Sequence, residues 1–352
     1  MMVTFNVTSM INNLRQGSLD FDGIRLPTPL AVPSIAILNF LSSDQLDQLG
    51  VNALFFDPVR ITMGMSKDLS NLSQLLCVHQ PLVATSGSET AYHLAKPRGR
   101  KKTGVNFHRP DNDQLVHYTP ESAQRLQFRL GARLGEQLSR NENYYAPVDD
   151  LVAATEQTEE WLQTISSNTP LLAPVVGGGL KKLRTQCIAA VPKNAIGYSI
   201  KQLAEISDQA ELRRILQQVM PQLDSTELRV AKVGDSPTSI MTALSTGIDV
   251  VQSDAALEAA RHGYAWNGDH QLLLTDSYFA NDTRPLGDGC SCPTCRGGYS
   301  RRSIHYLLVQ SAPLGIILLL KHNLVTLHHA VHELRQAIAN DRVPTWVESY
   351  HG

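Results

Sequence analysis

Three cysteines lie within six residues near the C-terminal end of the chain, at Cys290, Cys292 and Cys295. Thiolate sulfur suits the tetrahedral preference of zinc, and a histidine nitrogen commonly completes a closed, structural site with four protein ligands. The loop that carries the cysteines, residues 287–295, contains glycine and proline, which allow the sulfur atoms to face one point. The pattern therefore predicts a structural Zn²⁺ site.

The fourth ligand has two candidates, His305 and His322. His305 follows Cys295 by ten residues and lies within a predicted helix, residues 300–308. His322 follows the apolar run 314–320, an element that can return it to the cysteine loop. We therefore expect His322 to be the ligand.

A disulfide and unrelated buried thiols are the alternatives to a metal site. Disulfide frameworks are typical of small secreted chains. This chain has 352 residues, only Cys77 and Cys187 as further cysteines, and no recognisable signal peptide. These features favour the metal site and predict a cytoplasmic protein.

The composition, 42% hydrophobic and 18% charged, supports a large buried core in one big domain or two modest ones. The longest apolar run, residues 314–320, is too short to cross a bilayer, so we expect no membrane insertion. A net charge of -2 gives no overall attraction to nucleic acid. There are three local basic clusters: Arg98, Arg100, Lys101 and Lys102; Lys181, Lys182 and Arg184; and Arg296, Arg301 and Arg302. Such a cluster is more often a solvated surface than a binding site.

Short β-rich runs alternate with helical stretches along the chain. Predicted strands are residues 34–38, 53–56, 171–176, 195–200, 228–233 and 249–252, and predicted helices are residues 43–49, 180–191 and 209–219, with a further one that begins at Ser236-Pro237. Such alternation indicates parallel β/α units. The length accommodates eight of them, which favours an α/β (β/α)8 TIM barrel over an open doubly wound sheet.

Two long polar segments, residues 103–114 and 268–285, are interpreted as insertions that carry loops or β-hairpins. We expect residues 1–284 to form the barrel core. Residues 285–352 are expected to form a zinc-binding segment with C-terminal helices packed on the barrel.

The ends of the predicted strands carry few residues that indicate chemistry by themselves. Gly177-Gly178-Gly179 would allow a ligand close to the backbone, but a flexible turn explains it equally well. Asp249 is more typical of local capping or pairing than of catalysis. The residues alone therefore predict a zinc-containing barrel of unknown ligand.

Several motifs resemble those of one enzyme family. They are Cys290-Ser291-Cys292-Pro293-Thr294-Cys295, Tyr299-Ser300-Arg301, Ile304-His305-Tyr306-Leu307-Leu308, His322-Asn323-Leu324, Thr28-Pro29, Gly104-Val105-Asn106-Phe107, Tyr118-Thr119-Pro120-Glu121, Gly177-Gly178, Gly197-Tyr198-Ser199-Ile200 and Gly247-Ile248-Asp249. Together they resemble, in order and spacing, the tRNA-guanine transglycosylases. The resemblance implies a barrel that exchanges a guanine of tRNA for a 7-deazaguanine such as queuine or its precursors.

The resemblance fails at the two catalytic positions. The family's nucleophilic aspartate falls on Gln252, within Gly247-Ile248-Asp249-Val250-Val251-Gln252, and its general acid/base aspartate falls on Thr85. A neutral amide is a poor nucleophile, and a threonine hydroxyl is far too weak an acid or base near neutral pH. No residue of the chain is therefore confidently assigned as catalytic.

The implied base pocket has changed as well. The glutamine that reads the base in the family aligns with Val176, next to Gly177 and Gly178, and the paired glycines that face the base align with Lys201 and Gln202. A pocket built to pair with guanine depends on all of its polar groups. Exchange of guanine at this pocket is therefore not expected.

Two further stretches depart from the family. No Asp-Glu-Cys motif lies in residues 134–147, and Ala256-Leu257-Glu258 replaces the usual Pro-Thr-Arg, although Arg261 stands where a second RNA-binding arginine is expected. A glutamate near phosphate replaces attraction by repulsion.

Three hypotheses follow. The first is a non-catalytic family member that forms a homodimer, or a heterodimer with a catalytic transglycosylase subunit, and contacts tRNA. The second is an active enzyme in which Asp254, Glu258 or Asp249 replaces the nucleophile. The third is a barrel with an unrelated ligand.

Overall fold

The computed structural model describes residues 3–63, 69–166, 169–267 and 270–341. Its strands are β1 (Val3–Ile11), β2 (Leu14–Phe21), β3 (Ile24–Thr28), β4 (Leu30–Val32), β5 (Leu54–Phe56), β6 (Leu82–Ala84), β7 (Arg100–Lys101), β8 (Gly104–His108), β9 (Leu115–Tyr118), β10 (Gly135–Glu136), β11 (Leu171–Val175), β12 (Gly197–Leu203), β13 (Leu228–Val233), β14 (Val250–Gln252), β15 (Tyr264–Asn267) and β16 (His270–Leu273).

The α-helices of the same residues are α1 (Ser43–Gln48), α2 (Pro58–Thr62), α3 (Leu72–Leu75), α4 (Ser88–Leu94), α5 (Pro120–Arg129), α6 (Val148–Leu162), α7 (Lys181–Ala189), α8 (Gln209–Val219), α9 (Pro237–Leu244), α10 (Ala255–Arg261), α11 (Pro293–Arg296), α12 (Arg301–Val309) and α13 (Pro313–Ala339). Short 3₁₀ turns cover Ile35–Asn39, Pro97–Gly99, Met220–Gln222 and Ser277–Asn281.

Eight parallel strands of the described chain close into a barrel. Six of them pair in the order β10-β11-β12-β13-β14-β4, and β5 pairs with β6. Parallel bridges between Ser34 and Phe55 and between Val83 and Leu134 join the two groups at both edges. The predicted (β/α)8 barrel is therefore confirmed.

Alternate residues of the barrel strands pack in different layers. Val230 and Val250 belong to the apolar cluster inside the barrel, whereas Ala231 and Val251 belong to the cluster that the surrounding helices complete. Strands covered on both faces are expected to be apolar throughout, and Leu171–Val175 is buried at every position. The locally predicted helices 43–49, 180–191 and 209–219 appear as α1, α7 and α8.

An antiparallel sheet of β1, β2 and β3 covers the N-terminal end of the barrel. Its residues Leu19 and Phe21 join the cluster inside the barrel. Arg15 of β2 reaches further in and binds both carboxylate oxygens of Asp249, with its Nε 3.0 Å from Oδ1. Asp249 is 1% exposed and also accepts the backbone N–H of Arg229 at 2.7 Å.

The two insertions carry hairpins, as predicted. Residues 103–114 fall on β8 and the connection to β9, which pair as a hairpin. In the second insertion, β16 pairs with β15, and residues 268–269 of that prediction lie outside the described residues.

The predicted strand at residues 34–38 is wrong. The barrel strand is β4, and Ser34 instead caps the 3₁₀ turn Ile35–Asn39 by accepting the N–H of Ala36 at 3.2 Å. A serine hydroxyl competes for backbone groups and favours turns, and the alternating isoleucines that followed it imitated a strand.

Helix α13 contains the apolar run that the sequence suggested was too short to cross a bilayer. The helix has 27 residues and is long and apolar enough to span one, but 56% of its most apolar window is buried inside the protein. It packs against α10, α12 and β15, which is the behaviour of a core helix. The boundary at residues 284 and 285 stays a prediction.

The Arg15–Asp249 pair provides a test of the fold. Arg15→Leu leaves a buried carboxylate without its partner, so we expect the free energy of unfolding to fall by about 3–5 kcal/mol. Arg25→Leu in the same sheet removes a 3.6 Å pair whose arginine is 75% exposed, and should cost less than about 1 kcal/mol. Urea denaturation measures both; equal losses would contradict a structural role for Asp249.

Candidate functional site

The cysteine loop and α13 bring four metal ligands to one point. The Nδ1 atom of His322 lies 3.6 Å from Sγ of Cys290, 3.4 Å from Sγ of Cys292 and 3.6 Å from Sγ of Cys295. The four ligand atoms all lie within 4.8 Å of one another. The sulfur of Cys292 also accepts the N–H of Cys295 at 3.3 Å, which begins α11. The predicted ligand set is therefore assembled, and it can hold one metal ion.

The orientation of His322 is fixed by its other ring nitrogen. Nε2 lies 2.7 Å from the carbonyl oxygen of Trp266, to which it donates, so the lone pair of Nδ1 faces the sulfurs. His305, the rival ligand, instead bonds through Nδ1 to the carbonyl oxygen of Leu274 at 2.9 Å. The structure thus places His322, and not His305, beside the three cysteine sulfurs.

Electrostatics at this cluster favour the thiolate form of Cys290 and Cys295, whereas a hydrogen bond with Cys295 and burial raise the pKa of Cys292. A hydrogen bond with His322 lowers the pKa of Cys290, and hydrogen bonds with Cys292 and His322 lower that of Cys295. Burial opposes protonation of His322, but the bonds to Cys290 and Cys295 raise its pKa to about 9. The thiolate is the form of cysteine that binds metals.

A second polar cluster lies at the C-terminal end of the barrel strands, which we call the barrel mouth. Its centre is an ion pair between Lys201 of β12 and Glu136 of β10, with 2.9 Å between Nζ and Oε1. Lys201 is 9% exposed and Glu136 is 1% exposed. Burial opposes the charged form of Lys201, but Glu136 beside it raises the lysine's pKa. The charged form of Lys201 is therefore stabilised inside the protein by its partner.

Hydrogen bonds use the remaining capacity of the Glu136 carboxylate. Oε1 accepts the hydroxyl of Ser86 at 2.9 Å, and Oε2 accepts the hydroxyl of Ser199 at 2.7 Å. The backbone of Glu136 pairs with the amide of Gln127, at 2.8 Å for each of two bonds. The sequence analysis did not single out Glu136, because it searched residues 134–147 only for an Asp-Glu-Cys motif.

Gln202 occupies the glycine turn beside this pair. Its Oε1 accepts the N–H groups of both Gly177 and Gly178 at 2.9 Å, and its Nε2 donates to the carbonyl of Glu142 at 2.9 Å. Both glycines have positive φ, 137° and 55°, and a Cβ on Gly177 would lie 2.8 Å from the nitrogen of Arg184. The turn therefore requires glycine, but its N–H groups are already bonded within the chain.

Arg184 holds the same turn from below. Its guanidinium is buried and donates to the carbonyls of Val175, Gly178 and Lys201 at 2.8 to 3.1 Å. Burial lowers the pKa of Arg184 to about 10. This arginine, which the sequence analysis placed in a basic cluster, is a structural residue.

Val176, by contrast, offers no polar atom to the mouth. It is buried with Ala173 and Cys187 in the apolar cluster between β11 and α7. Three predicted base-pocket positions, Val176, Gly177 and Gly178, directly follow β11, and the other two, Lys201 and Gln202, lie on β12. Gln202 bonds the two glycines, Lys201 pairs with Glu136, and Val176 packs in the core.

A second lysine–carboxylate pair crosses the mouth. Lys232, at the end of β13, lies 2.5 Å from Glu89 in the first turn of α4. Burial opposes ionisation of Glu89, but Lys201 and Lys232 lower its pKa. Lys232 stands opposite Gln252 in the register of β13 and β14. The charge of Lys232, beside Gln252, is therefore paired with the carboxylate of Glu89.

The two positions where the family carries aspartate lie at strand ends, as expected. Gln252 is the last residue of β14 and is 3% exposed. Thr85 follows β6 and donates its N–H to the carbonyl of Phe56 at 2.9 Å. Its side chain lines a cavity of about 660 Å³.

That cavity receives two of the three carboxylates considered as replacement nucleophiles. Asp254 and Glu258 line it, together with Arg261. Asp254 accepts the N–H of Ser34 at 2.8 Å, and burial raises its pKa. Glu258 pairs with Arg261 at 2.7 Å, so the arginine expected to contact RNA is partly neutralised.

Asp249, the third candidate, is wrong as a nucleophile. It precedes β14 and is therefore at the N-terminal end of the barrel, where Arg15 binds both of its oxygens. Active sites of such barrels lie at the opposite end.

The fold and the metal cluster together define a (β/α)8 barrel with a Cys₃His metal centre in its C-terminal segment. The family model for queuine tRNA-ribosyltransferase matches residues 12–352. The chain belongs to that family.

Named relatives agree with this assignment. A queuine tRNA-ribosyltransferase of Streptococcus pyogenes serotype M6 is 27% identical over 330 residues, covering 90% of this chain and 87% of the relative. A queuine tRNA-ribosyltransferase of Streptococcus mutans serotype c is 26% identical over 337 residues, covering 92% and 88%.

The Lys201–Glu136 pair yields a stability prediction. Lys201→Met leaves Glu136 charged and buried, so the free energy of unfolding should fall by about 3–5 kcal/mol. Adding Glu136→Gln removes that charge and should recover at least about half of the loss. Urea denaturation of the single and double variants measures the coupling.

The control is Lys232→Met, which breaks a pair exposed by 37% and 47%. It should cost less than about 1 kcal/mol. If Lys201→Met were no worse than this control, Lys201 and Glu136 would not form a buried pair.

Proposed function

We propose that this chain is a non-catalytic member of the transglycosylase family, which serves queuosine-type tRNA modification by supporting a dimer and positioning tRNA. One observation carries the proposal. The Lys201–Glu136 pair lies buried at the mouth of the barrel, next to strand ends that present Thr85 and Gln252 instead of acids.

Neither Gln252 nor Thr85 is suited to the bond-breaking step. Attack on the anomeric carbon of a ribose needs a nucleophile that forms a covalent bond and stabilises developing positive charge. The amide of Gln252 carries no charge, and the hydroxyl of Thr85 is too weak an acid or base to transfer a proton efficiently in catalysis near neutral pH. Neither residue can replace a carboxylate in this step.

The polar groups that a guanine base would need are already bonded within the chain. A guanine in this pocket would need polar partners, but the N–H groups of Gly177 and Gly178 are bonded to Gln202. The carboxylate of Glu136 is likewise bonded to Ser86, Ser199 and Lys201. A bound base would have to break these buried bonds, and each unpaired buried group costs about 1–3 kcal/mol.

The metal is proposed to be zinc. With Zn–S of about 2.3 Å and Zn–N of about 2.0 Å, tetrahedral geometry places each sulfur about 3.5 Å from the nitrogen. The corresponding distances from Nδ1 of His322 are 3.4 to 3.6 Å. Three thiolates and one imidazole make a closed site, so the ion would have a structural role.

The partner is proposed to be a second copy or a catalytic transglycosylase subunit. Tyr306 and Val309 of α12 and Leu314 of α13 are 65%, 55% and 43% exposed. Exposed aromatic and aliphatic side chains that lie together favour a protein interface. In the family, dimers use the zinc region for this contact. The free cysteines and the proposed role in tRNA modification favour a cytoplasmic location.

A second candidate function is an active enzyme with a displaced carboxylate. The observation in its favour is that Asp254 and Glu258 share the 660 Å³ cavity with Thr85. The raised pKa of Asp254, caused by its burial, weakens it as an ionised nucleophile near neutral pH but suits a proton donor.

A base-exchange assay separates the two functions. Purified protein incubated with tRNA and labelled guanine should incorporate no label, because no acid lies at position 85 or 252. A mixture with the same organism's catalytic transglycosylase should show activity enhanced over the catalytic protein alone.

Incorporation by this chain alone would contradict the non-catalytic assignment. In that case the RNA adduct is trapped on a denaturing gel: its loss in Asp254→Asn, and its persistence in the control Asp235→Asn, would establish the displaced nucleophile.

Metal removal tests the zinc proposal. Elemental analysis should find about one zinc per chain, and a chelator should remove it and lower the thermal midpoint, because binding energy at such a site is also folding energy. Cys292→Ser should reproduce both effects. The exposed Cys77 supplies the control Cys77→Ser, and equal metal content in both variants would refute the site.

A further inference from the structure

A short basic segment projects beside the barrel mouth. Five of the seven residues from 96 to 102 are cationic and none is acidic. All five are exposed, on the 3₁₀ turn before β7, on β7 itself and on the β7–β8 connection. We call this surface the hairpin patch; its residues are Lys96, Arg98, Arg100, Lys101 and Lys102.

The backbone of the hairpin patch is held against α6. Trp161 donates its Nε1–H to the carbonyl of Lys102 at 3.0 Å, and Gln157 donates Nε2–H to the carbonyl of Lys101 at 2.7 Å. Arg100 lies over the ring of Tyr92, 5.4 Å from its centroid. The contacts of Lys101 and Lys102 with α6 use their backbone carbonyls, and both side chains are exposed.

Much of the positive charge is not neutralised. Lys102 pairs with Glu160 at 2.9 Å, and Arg100 approaches Glu142 at 3.8 Å. In the described parts of the chain, Lys96, Arg98 and Lys101 have no carboxylate within ion-pair distance. On a chain with net charge -2, the hairpin patch is therefore a local positive surface.

The hairpin patch lies at the same end of the barrel as the Lys201–Glu136 pair. Glu142 connects the two, because it approaches Arg100 and its carbonyl accepts Nε2–H of Gln202. At the base of the insertion, Tyr118 donates its hydroxyl to the carbonyl of Ser86, the residue that bonds Glu136. A long polyanion that covers the mouth can therefore reach the patch.

We propose that the hairpin patch binds the phosphate backbone of RNA that lies over the barrel mouth. The inference rests on the proposed function, in which the chain positions tRNA. Residues 96–102 include no large apolar side chain, whereas protein interfaces and membrane surfaces are usually anchored by such groups. Binding to a phosphate backbone requires only cations and the release of counterions.

Salt-dependent tRNA binding tests this inference. The full chain and the triple variant Lys96→Gln/Arg98→Gln/Lys101→Gln are titrated with fluorescently labelled tRNA at several salt concentrations. We expect the variant to bind about tenfold more weakly. The slope of log K against log salt should shrink by about 2, since each lost phosphate contact contributes roughly 0.7–0.9.

The control triple variant has the same charge change at the opposite end of the barrel: Arg25→Gln/Arg133→Gln/Lys193→Gln. It should keep the wild-type affinity and slope within about twofold. Equal losses in both triple variants would overturn the inference, because binding would then follow total charge. All six side chains are at the surface, and an unchanged circular dichroism spectrum checks the fold.

Two other outcomes separate the inference from the proposed function. If wild type binds tRNA and the hairpin-patch variant keeps its affinity and slope, the inference is wrong but the proposed function stands. If wild type binds no tRNA even at low salt, tRNA positioning is wrong as well. If polyglutamate displaces labelled tRNA as effectively as unlabelled tRNA, the patch binds acidic protein, and the RNA assignment is overturned.

Discussion

The buried pair of Lys201 and Glu136 is the interaction on which the functional account depends. A buried ion pair is stable only when the two charged groups are in close, well-oriented contact and other hydrogen bonds satisfy their remaining donors and acceptors. Here Ser86 and Ser199 satisfy the carboxylate, so loops and strands from three parts of the barrel converge on one group. The pair and its hydrogen-bond partners thereby form a buried polar core at the C-terminal end of the strands.

The C-terminal segment is secured to the same barrel by a second polar centre. His322 bonds the carbonyl of Trp266, and the neighbouring Asn323 pairs with the backbone of Trp266 and Tyr264 at 3.0 Å. The metal ligands therefore fix α13 to β15, and α13 packs on α10, which follows the strand end at Gln252.

Local signals allowed much of this structure to be predicted from sequence. The cap at Ser236 depends on residues close in the chain and is confirmed. The cysteine spacing and the apolar run before His322 predicted the four ligand atoms that the structure brings together. Glu136 could not be found in this way, because its partners Ser86, Ser199 and Lys201 lie 50, 63 and 65 residues away. The strand assigned at Ser34 failed because a serine cap and an apolar alternation give conflicting local signals.

Binding of the free base is the most direct test of the account. Equilibrium dialysis of the purified protein against labelled guanine, with a catalytic family member as positive control, measures whether the pocket accepts a ligand. We predict no saturable binding to this chain, because Lys201 and Glu136 already satisfy one another and Gln202 already accepts the N–H groups of the Gly177-Gly178 turn. Stoichiometric binding that is lost when a bulky side chain is placed at Gly177 would contradict it.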